Sequence, residues 1–263
     1  MNRRALSLLA PLVTGLLLLL AWQLLHAGLS PQKQFLVPAP AAVGRALIEN
    51  HATLLQSAAT TASGAALGLL AAVVIGSALA VVLAWSRVSR AALFPYLMIL
   101  QMTPIIVFAP ILVLLVEASL LRVASITFLI CFFPLVVNAT QGLVSVDPQL
   151  LDFFRLSRAS RFDEFWRLRI PSAAPGFFTG LRIAATLAPI GAIVGDYTAG
   201  NSAGGVGGLG YQIILTSSRF QMPQLYATAI AGCVTGFLFV AAVVGLQWLV
   251  LHRWHPDYVG NDR

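Results

Sequence analysis

The chain has 263 residues, 59% of them hydrophobic and only 10% charged, with a mean hydropathy of +0.87. Soluble domains average about 25% charged residues, so most of this surface must face lipid rather than water. The net charge of +7 does not indicate nucleic-acid binding, because the basic residues are scattered between apolar blocks and form no run interleaved with aromatics. Cys131 and Cys233 lie in apolar segments without paired spacing, which is typical of buried hydrophobic residues rather than of a disulfide or a metal site.

Six stretches are apolar enough to cross a bilayer, which takes roughly 20 residues of helix. They cover residues 5–32, 52–86, 91–116, 123–146, 170–195 and 220–251. The first follows Arg3 and Arg4 as a signal peptide would, but it is longer than such a region and lacks a clear small-x-small cleavage site, which favours an uncleaved helix. The fifth contains Arg182 near one end, from where the side chain can reach the interface.

The basic residues orient these spans. With the N-terminus in the cytoplasm, residues 1–4, 86–91, 146–170 and 252–263, together with Arg182, hold twelve of the sixteen lysines and arginines on that side. We therefore predict an all-α polytopic membrane helical bundle with six transmembrane helices and both termini cytoplasmic. It forms a single transmembrane domain over 1–263, with a first span and external segment at 1–50 and a core bundle at 51–252 that carries a cytoplasmic loop at 147–170.

Small residues and prolines inside the spans predict how the helices meet. Gly64, Gly68 and Gly76 recur at helical spacing and predict a close helix contact in the second span. Prolines remove backbone hydrogen bonds and act either as hinges of a gate or as static kinks that set packing. They are Pro104 and Pro110 in the third span, Pro134 in the fourth and Pro189 in the fifth.

Four residues are candidates for a translocation path or gate: Pro104, Asn138, Thr186 and Asp196. Asp196 could pair with Arg219 or bind a cation, but a structural or gating role is the favoured interpretation. The glycine-rich run at 200–210 has no strand-to-helix context for a phosphate site, which favours a flexible gate loop.

The cytoplasmic loop at 147–170 carries the most informative pattern. Asp147 can cap a helix with Pro148 at its first position, and apolar residues then recur at helical spacing. A second short helix is expected over Arg161–Arg169, ending before Pro171. Such a loop is either an interfacial helix on membrane lipid or a docking helix that enters a cleft of a cytoplasmic partner.

This loop resembles that of the binding-protein-dependent permeases of ATP-binding-cassette (ABC) importers, whose motif is Glu-Ala-Ala, three residues, Gly, nine residues, then Ile-x-Leu-Pro. The matching positions here are Asp152, Phe153 and Phe154, then Arg158, then Leu168, Arg169, Ile170 and Pro171. Phe-Phe replaces Ala-Ala, and Arg158 replaces the Gly that lets the loop turn. Further stretches resemble motifs of the family and occur in the same order along the chain. They lie at residues 35–43, 101–110, 132–143, 191–196 and 207–211.

The resemblance implies a permease of the cell inner membrane with two cytoplasmic ATPase subunits, a second permease chain (most simply a homodimer) and an external binding protein. It assigns the coupling to the ATPase to Asp152, Phe153, Phe154, Arg155, Arg158, Ala159, Ser160 and Pro171. The branch it favours imports nitrate, sulfonates, taurine or thiamine-type pyrimidine precursors, and we favour a pyrimidine or vitamin-like ligand.

The residues of this chain predict no catalysis of its own. A P-loop needs Gly-Lys-[Ser/Thr], and the one lysine, Lys33, is followed by Gln34. No helical His pair or nucleophile motif is present in the sequence, so we expect no metal and no cofactor. Two alternatives stay open: an ion-coupled secondary transporter, which would need midspan acids or paired broken helices, and a non-transporting membrane scaffold.

Overall fold

A computed structural model describes residues 3–199 and 207–251, which form helices and connecting turns without a strand in these ranges. The first helices are α1 (Arg3–Gly28), α2 (Pro31–Gln34), α3 (Pro40–Glu49), α4 (His51–Trp85) and α5 (Arg87–Met102). A 3₁₀ turn (Ile105–Val107) leads to α6 (Ala109–Leu115), α7 (Ser119–Val144), α8 (Pro148–Leu156) and α9 (Arg161–Glu164). A π-helical turn (Phe165–Arg169) joins α9 to α10 (Ile170–Ala199), and α11 (Leu209–Ser218) and α12 (Met222–Leu251) follow.

Close glycine contacts give the directions of the central helices. A Cβ atom on Gly64 would lie 2.5 Å from Val123, and one on Gly76 would lie 2.9 Å from Leu135, so α4 and α7 run parallel. At Gly68 the added atom would lie 2.5 Å from Thr127, so side chains larger than hydrogen would push the helices apart. The close contact predicted from the glycine spacing is thereby confirmed.

Helix α10 packs antiparallel to α7 along a stripe of small residues. Glycines from both helices are in contact near one end, at Gly142 and Gly176, and Gly195 lies against Val123 at the other. Between them Ala184, Ala185, Ala188 and Ala192 are fully buried in the core that α4, α7 and α10 share. Without a hydrophobic effect between helices in lipid, such short side chains stabilise the bundle because they bring the backbones close enough for extensive van der Waals contact.

The third predicted span is not one helix. Thr103 is extended (φ −72°, ψ 126°) because a residue before proline is disfavoured in the α region, and Pro104 has no N–H to continue α5. Helix α6 restarts with Pro110 in its first turn, where a missing N–H is tolerated. Since α4 and α7 run parallel, the segment from α5 to α6 must return along the height of the bundle between them.

Five described helices are long and apolar enough to span a membrane: α1, α4, α7, α12 and the helix that includes α10. Helix α12 runs antiparallel to α10, with Gly236 beside Pro189, and the Trp22 ring of α1 stacks on Tyr226 at 5.8 Å. The third span of the six-span prediction, residues 91–116, is not among these five helices, because the chain there is divided into α5 and α6. Because α12 runs antiparallel to α10, its last described residues lie at the same end of the bundle as the loop that follows α7.

Two details of the sequence prediction are wrong. Arg182 is the thirteenth of the thirty residues of α10 and also the thirteenth residue of the predicted span at 170–195, so it lies near the middle of both rather than near one end. Cys131 is buried, with its Sγ atom 3.3 Å from the Ala184 carbonyl, but Cys233 is exposed on α12. Exposed leucine, isoleucine and valine side chains cover α1 and the outer faces of the other spans, as expected of a lipid-facing surface.

Candidate functional site

The first loop helix, α8, forms as the sequence predicts. The Asp147 carboxylate accepts the Gln149 N–H at 2.8 Å, which satisfies an N-terminal donor, and Pro148 takes the first helical position. The side chains of Leu150, Phe153 and Leu156 are exposed, with 63% of Phe153 accessible. An exposed apolar row on an amphipathic helix outside the apolar spans is typical of a surface that binds a partner.

Arg158 follows the last residue of α8 by two positions and has the left-handed conformation that glycine adopts most easily, with φ 50°. The Ala159 N–H donates to the Phe154 carbonyl at 3.0 Å. This hydrogen bond spans six residues and is the bond that defines a Schellman motif at the end of a helix. The loop thus makes the turn between its two short helices with an arginine in place of glycine.

The second loop helix, α9, is shorter than predicted, and the helical path of the chain continues through Pro171 instead of stopping before it. Ser160 caps the N-terminus of α9: its Oγ accepts the Asp163 N–H at 3.1 Å, and its hydroxyl donates to the Asp163 carboxylate at 2.6 Å. The π-helical turn then leads straight into α10, with the Ile170 N–H donating to the Phe165 carbonyl five residues back. This wider turn moves the carbonyls that the Pro171 ring would otherwise meet, so proline stays inside the first turn of α10 instead of stopping the helix.

Polar and aromatic contacts anchor the loop to the bundle. The Arg169 guanidinium donates twice to Glu164 Oε1, at 2.6 and 2.8 Å, and once to the Leu143 carbonyl at the end of α7, at 3.3 Å. Phe165 is buried and meets the Trp85 ring of α4 edge-on, with the centroids 5.2 Å apart. The loop is therefore attached to α4, α7 and α10 together.

The predicted coupling residues do not share one environment. Asp152, Phe153, Arg158, Ser160 and Pro171 are exposed, Phe154 and Ala159 are half-buried, and the Arg155 side chain lies outside the described residues. Sequence reasoning missed Phe162 and Trp166, whose rings pack 5.9 Å apart and are 62% and 55% exposed. Their spacing of four residues, which places two aromatics on one helix face, was the available signal.

A second polar cluster lies at the opposite end of the bundle, around Asp196. Its carboxylate accepts the Thr61 hydroxyl at 2.6 Å, and the Thr61 Oγ1 accepts the Leu209 N–H at 2.8 Å. The Gly210 N–H also donates to Asp196. Thr61 of α4 and Asp196 of α10 thus cap the N-terminus of α11 from two other helices, where a negative charge also complements the helix dipole.

Two glycines make this cap possible. A side chain on Gly208 would overlap the Asp196 carboxylate, and one on Gly210 would overlap the Ile193 carbonyl. Gly207 turns the chain into α11 with φ +71°. In the described residues Asp196 makes no ion pair with Arg219, which is exposed, so the pairing considered as one possibility is not formed. Residues 200–206 of the predicted gate loop lie outside the described residues.

The other predicted pathway residues lie apart from this cap. Pro104 is exposed in the break between α5 and α6, and Thr186 is exposed on α10. Asn138 is half-buried, donates to the Pro134 carbonyl at 2.8 Å and lies against Gly180. Sequence reasoning did not single out Gln247, whose Oε1 accepts two hydrogen bonds from the Arg182 guanidinium at 3.2 and 3.3 Å.

Comparison with known proteins identifies the family of this chain. Residues 64–255 match the family described as the inner membrane component of binding-protein-dependent transport systems. That match covers most of the bundle, including the loop at 147–170 and Asp196, while Thr61 lies just before it. The chain belongs to this family. It is an ABC transporter permease, a multi-pass protein of the cell inner membrane, and the all-α bundle agrees with that membership.

Three curated permeases are similar to it over nearly their full length. The formylaminopyrimidine transport permease protein ThiX of Halalkalibacterium halodurans is 30% identical over 250 residues, 95% of this chain and 97% of its own. A probable ABC transporter permease protein of Haemophilus influenzae is 32% identical, with 94% and 97% covered. The riboflavin transport system permease protein RibX of Chloroflexus aurantiacus is 32% identical, with 93% and 90% covered.

Proposed function

We propose that this permease is one of two membrane-spanning chains in an ATP-driven importer, coupled through its loop at 147–170 to two cytoplasmic ABC ATPase subunits. An external binding protein delivers a small organic nutrient to the opposite end of the bundle. The observation that carries the proposal is the loop itself, which exposes Phe153, Phe162 and Trp166 while Arg169 and Phe165 anchor it to the bundle.

This combination suits a coupling element. Exposed aromatic residues supply anchors for the cleft of a partner, because they bury a large area at a small cost in conformational entropy. A push on α8 would be transmitted through the Glu164–Arg169 pair to the end of α7, and through Phe165 to the end of α4. ATP-driven closure of the ATPases would therefore move three spans at once.

We infer that the pathway runs between the two permease copies along the exposed face of α10. Thr179, Ile183, Thr186 and Ile190 lie on that face at spacings of three and four residues and are all exposed. Arg182 is on the same helix, held by Gln247, and within the described residues it has no acidic partner. Intramembrane charges generally face a bundle interior or a water-filled cavity, which supports this face as the path.

For the substrate we propose a pyrimidine or vitamin-precursor-like molecule. The relatives that match more than nine tenths of this chain include permeases named for formylaminopyrimidine and riboflavin. Relatives named for aliphatic sulfonates and nitrate are 25% and 26% identical and match 74% and 71% of it. The longer matches favour the heterocyclic class over the small anions.

Co-purification tests the coupling proposal. The tagged permease is co-expressed with the ATPase encoded beside it, and the two are expected to elute together in mild detergent. Truncating one anchoring aromatic costs about 2 kcal/mol, which is about 30-fold in affinity. Changing Phe153→Ala and Phe162→Ala together should therefore weaken the complex by about 1,000-fold if the two effects add.

The matched control changes two exposed phenylalanines away from the loop, Phe35→Ala and Phe237→Ala, and should leave the complex intact. If the loop variant binds the ATPase as well as the unchanged chain does, the coupling proposal is wrong. If no ATPase associates with the unchanged chain, the ATP-driven reading fails, and ion-gradient uptake in liposomes becomes the test of the secondary-transporter alternative.

A further inference from the structure

A cleft of about 670 Å³ lies between the loop and the ends of the spans it touches. Its walls come from the α4–α5 junction, the end of α7 and the helices α8 and α9. Four arginines line it, with one acid among them: Arg87, Arg90, Arg161, Arg169 and Glu164. The three exposed aromatic residues that we assign to the ATPase, Phe153, Phe162 and Trp166, do not line this cleft.

Most of the positive charge in this cleft is not neutralised by the protein. Glu164 is taken by Arg169, at 2.6 Å. Across the part of the chain that the structure describes, Arg87, Arg90 and Arg161 form no ion pair. The N-terminus of the sixteen-residue helix α5 also borders the cleft, where Ser86 accepts the Ser89 N–H, and its dipole adds to the positive potential. The cleft therefore favours an anion.

The remaining lining decides what kind of anion fits. Trp85, Val144, Leu151 and Phe165 supply apolar surface beside the arginines. Trp85 and Val144 are the last residues of two spans, so the cleft lies at the level where the apolar helices end. Tryptophan and arginine at that level are typical of contacts with lipid headgroups, and basic pockets between helices on the cytoplasmic side bind anionic headgroups.

We propose that this cleft binds the phosphate of an anionic phospholipid, with the guanidinium groups of Arg87 and Arg90 as its main contacts and Arg161 beside them. A guanidinium donates two parallel hydrogen bonds to a phosphate, and the apolar wall accommodates the glycerol and the first part of the acyl chains. The bound lipid would fill the space between the loop and the α4–α5 junction. Free phosphate shares the headgroup chemistry but would leave the apolar wall unused.

Native mass spectrometry of the full chain tests the proposal, with phosphatidylglycerol, phosphatidylcholine and inorganic phosphate as separate additives. The unchanged chain is expected to retain phosphatidylglycerol in preference to phosphatidylcholine. Arg87→Gln with Arg90→Gln should weaken phosphatidylglycerol binding by about 30-fold, since each surface arginine contributes about 1 kcal/mol to binding anionic lipid. The double variant Arg45→Gln with Arg219→Gln removes the same charge from exposed positions elsewhere and should stay within about twofold of the unchanged chain.

Three outcomes would overturn the assignment. Equal retention of both lipids would mean that the headgroup charge is not recognised. Unchanged phosphatidylglycerol binding in the Arg87 and Arg90 double variant would place the lipid elsewhere. Inorganic phosphate that binds at the same arginines, and that phosphatidylglycerol does not displace, would make this a site for free anion. If the double variant does not fold, as judged by its melting temperature, Arg161→Gln alone should lower phosphatidylglycerol binding about fivefold.

Discussion

Replacing Thr61 by valine should release α11 from the bundle. Thr61 donates to Asp196 at 2.6 Å and accepts the Leu209 N–H at 2.8 Å, so valine, which has nearly the same shape, removes two buried hydrogen bonds at once. Leaving a buried donor or acceptor unsatisfied costs about 1–3 kcal/mol, and more when the group is charged. Loss of both bonds should therefore destabilise the docked position of α11 by about 2–5 kcal/mol.

Hydrogen–deuterium exchange of the α11 amides measures this loss directly. A destabilisation of at least about 2 kcal/mol raises the population of the opened helix, and hence the exchange rate of its amides, by about 30-fold or more. The amides of α7 and the core of α10 should keep their protection, because the cap touches only the ends of α4, α10 and α11. Transport should fall as well if the position of α11 controls access from the outside.

Two substitutions serve as controls. Thr61→Ser keeps the hydroxyl and should restore most of the protection. Thr60→Val makes the same chemical change one residue away, where the hydroxyl is exposed and donates to the Gln56 carbonyl of its own helix at 3.0 Å. The reasoning is refuted if Thr61→Val leaves α11 exchange within about twofold of the unchanged chain, since that ratio corresponds to only about 0.4 kcal/mol.

Three further predictions concern the loop and the helix contacts. Arg158→Gly should stabilise the loop by about 0.5–1 kcal/mol, because the relief of left-handed strain exceeds the additional conformational entropy that glycine loses on folding. Co-purification should show that ATPase binding is unchanged or tighter. Gly68→Ala should abolish the yield of folded protein, because its Cβ atom would lie 2.5 Å from the Thr127 side chain, whereas Gly245→Ala meets nothing within 4 Å and should express normally. Arg169→Gln removes the ion pair with Glu164, so ATP hydrolysis in the complex should persist while substrate uptake falls; uptake at the unchanged rate would contradict the anchoring role.

Much of this fold follows from local sequence because lipid imposes a simple rule on it. A span must satisfy its own backbone hydrogen bonds, so an apolar stretch of sufficient length becomes a helix, and α1, α4, α7, α10 and α12 follow the predicted spans. Pro104 and Pro110 also indicate the helix break after Thr103, but the high summed hydropathy of residues 91–116 led to the prediction of one continuous span. Hydropathy averages over a window, whereas a proline acts at one position.

The polar cap was beyond sequence reasoning for a different reason. Asp196 stood out because it is an acid at the end of an apolar stretch, but its partner Thr61 lies 135 positions away and looks like any threonine in a helix. Only the packing of α4 against α10 brings the two together. The same holds for Arg182 and Gln247, 65 positions apart, whose pairing depends on how α10 crosses α12.

Arg158 shows that the turn of the loop can form without the glycine of the family motif. The motif has glycine where the loop turns, and glycine lowers the free energy of a left-handed residue, but the turn itself is held by the Ala159–Phe154 hydrogen bond and by the Ser160 cap that starts α9. With both in place, an arginine is held at φ 50° at a cost of roughly 1–2 kcal/mol. The departure from the motif therefore lowers the stability of the loop and adds a positive charge at its tip, while the chain still turns between α8 and α9. A partner that binds this loop must accept an arginine side chain where the glycine of the family motif would present only backbone.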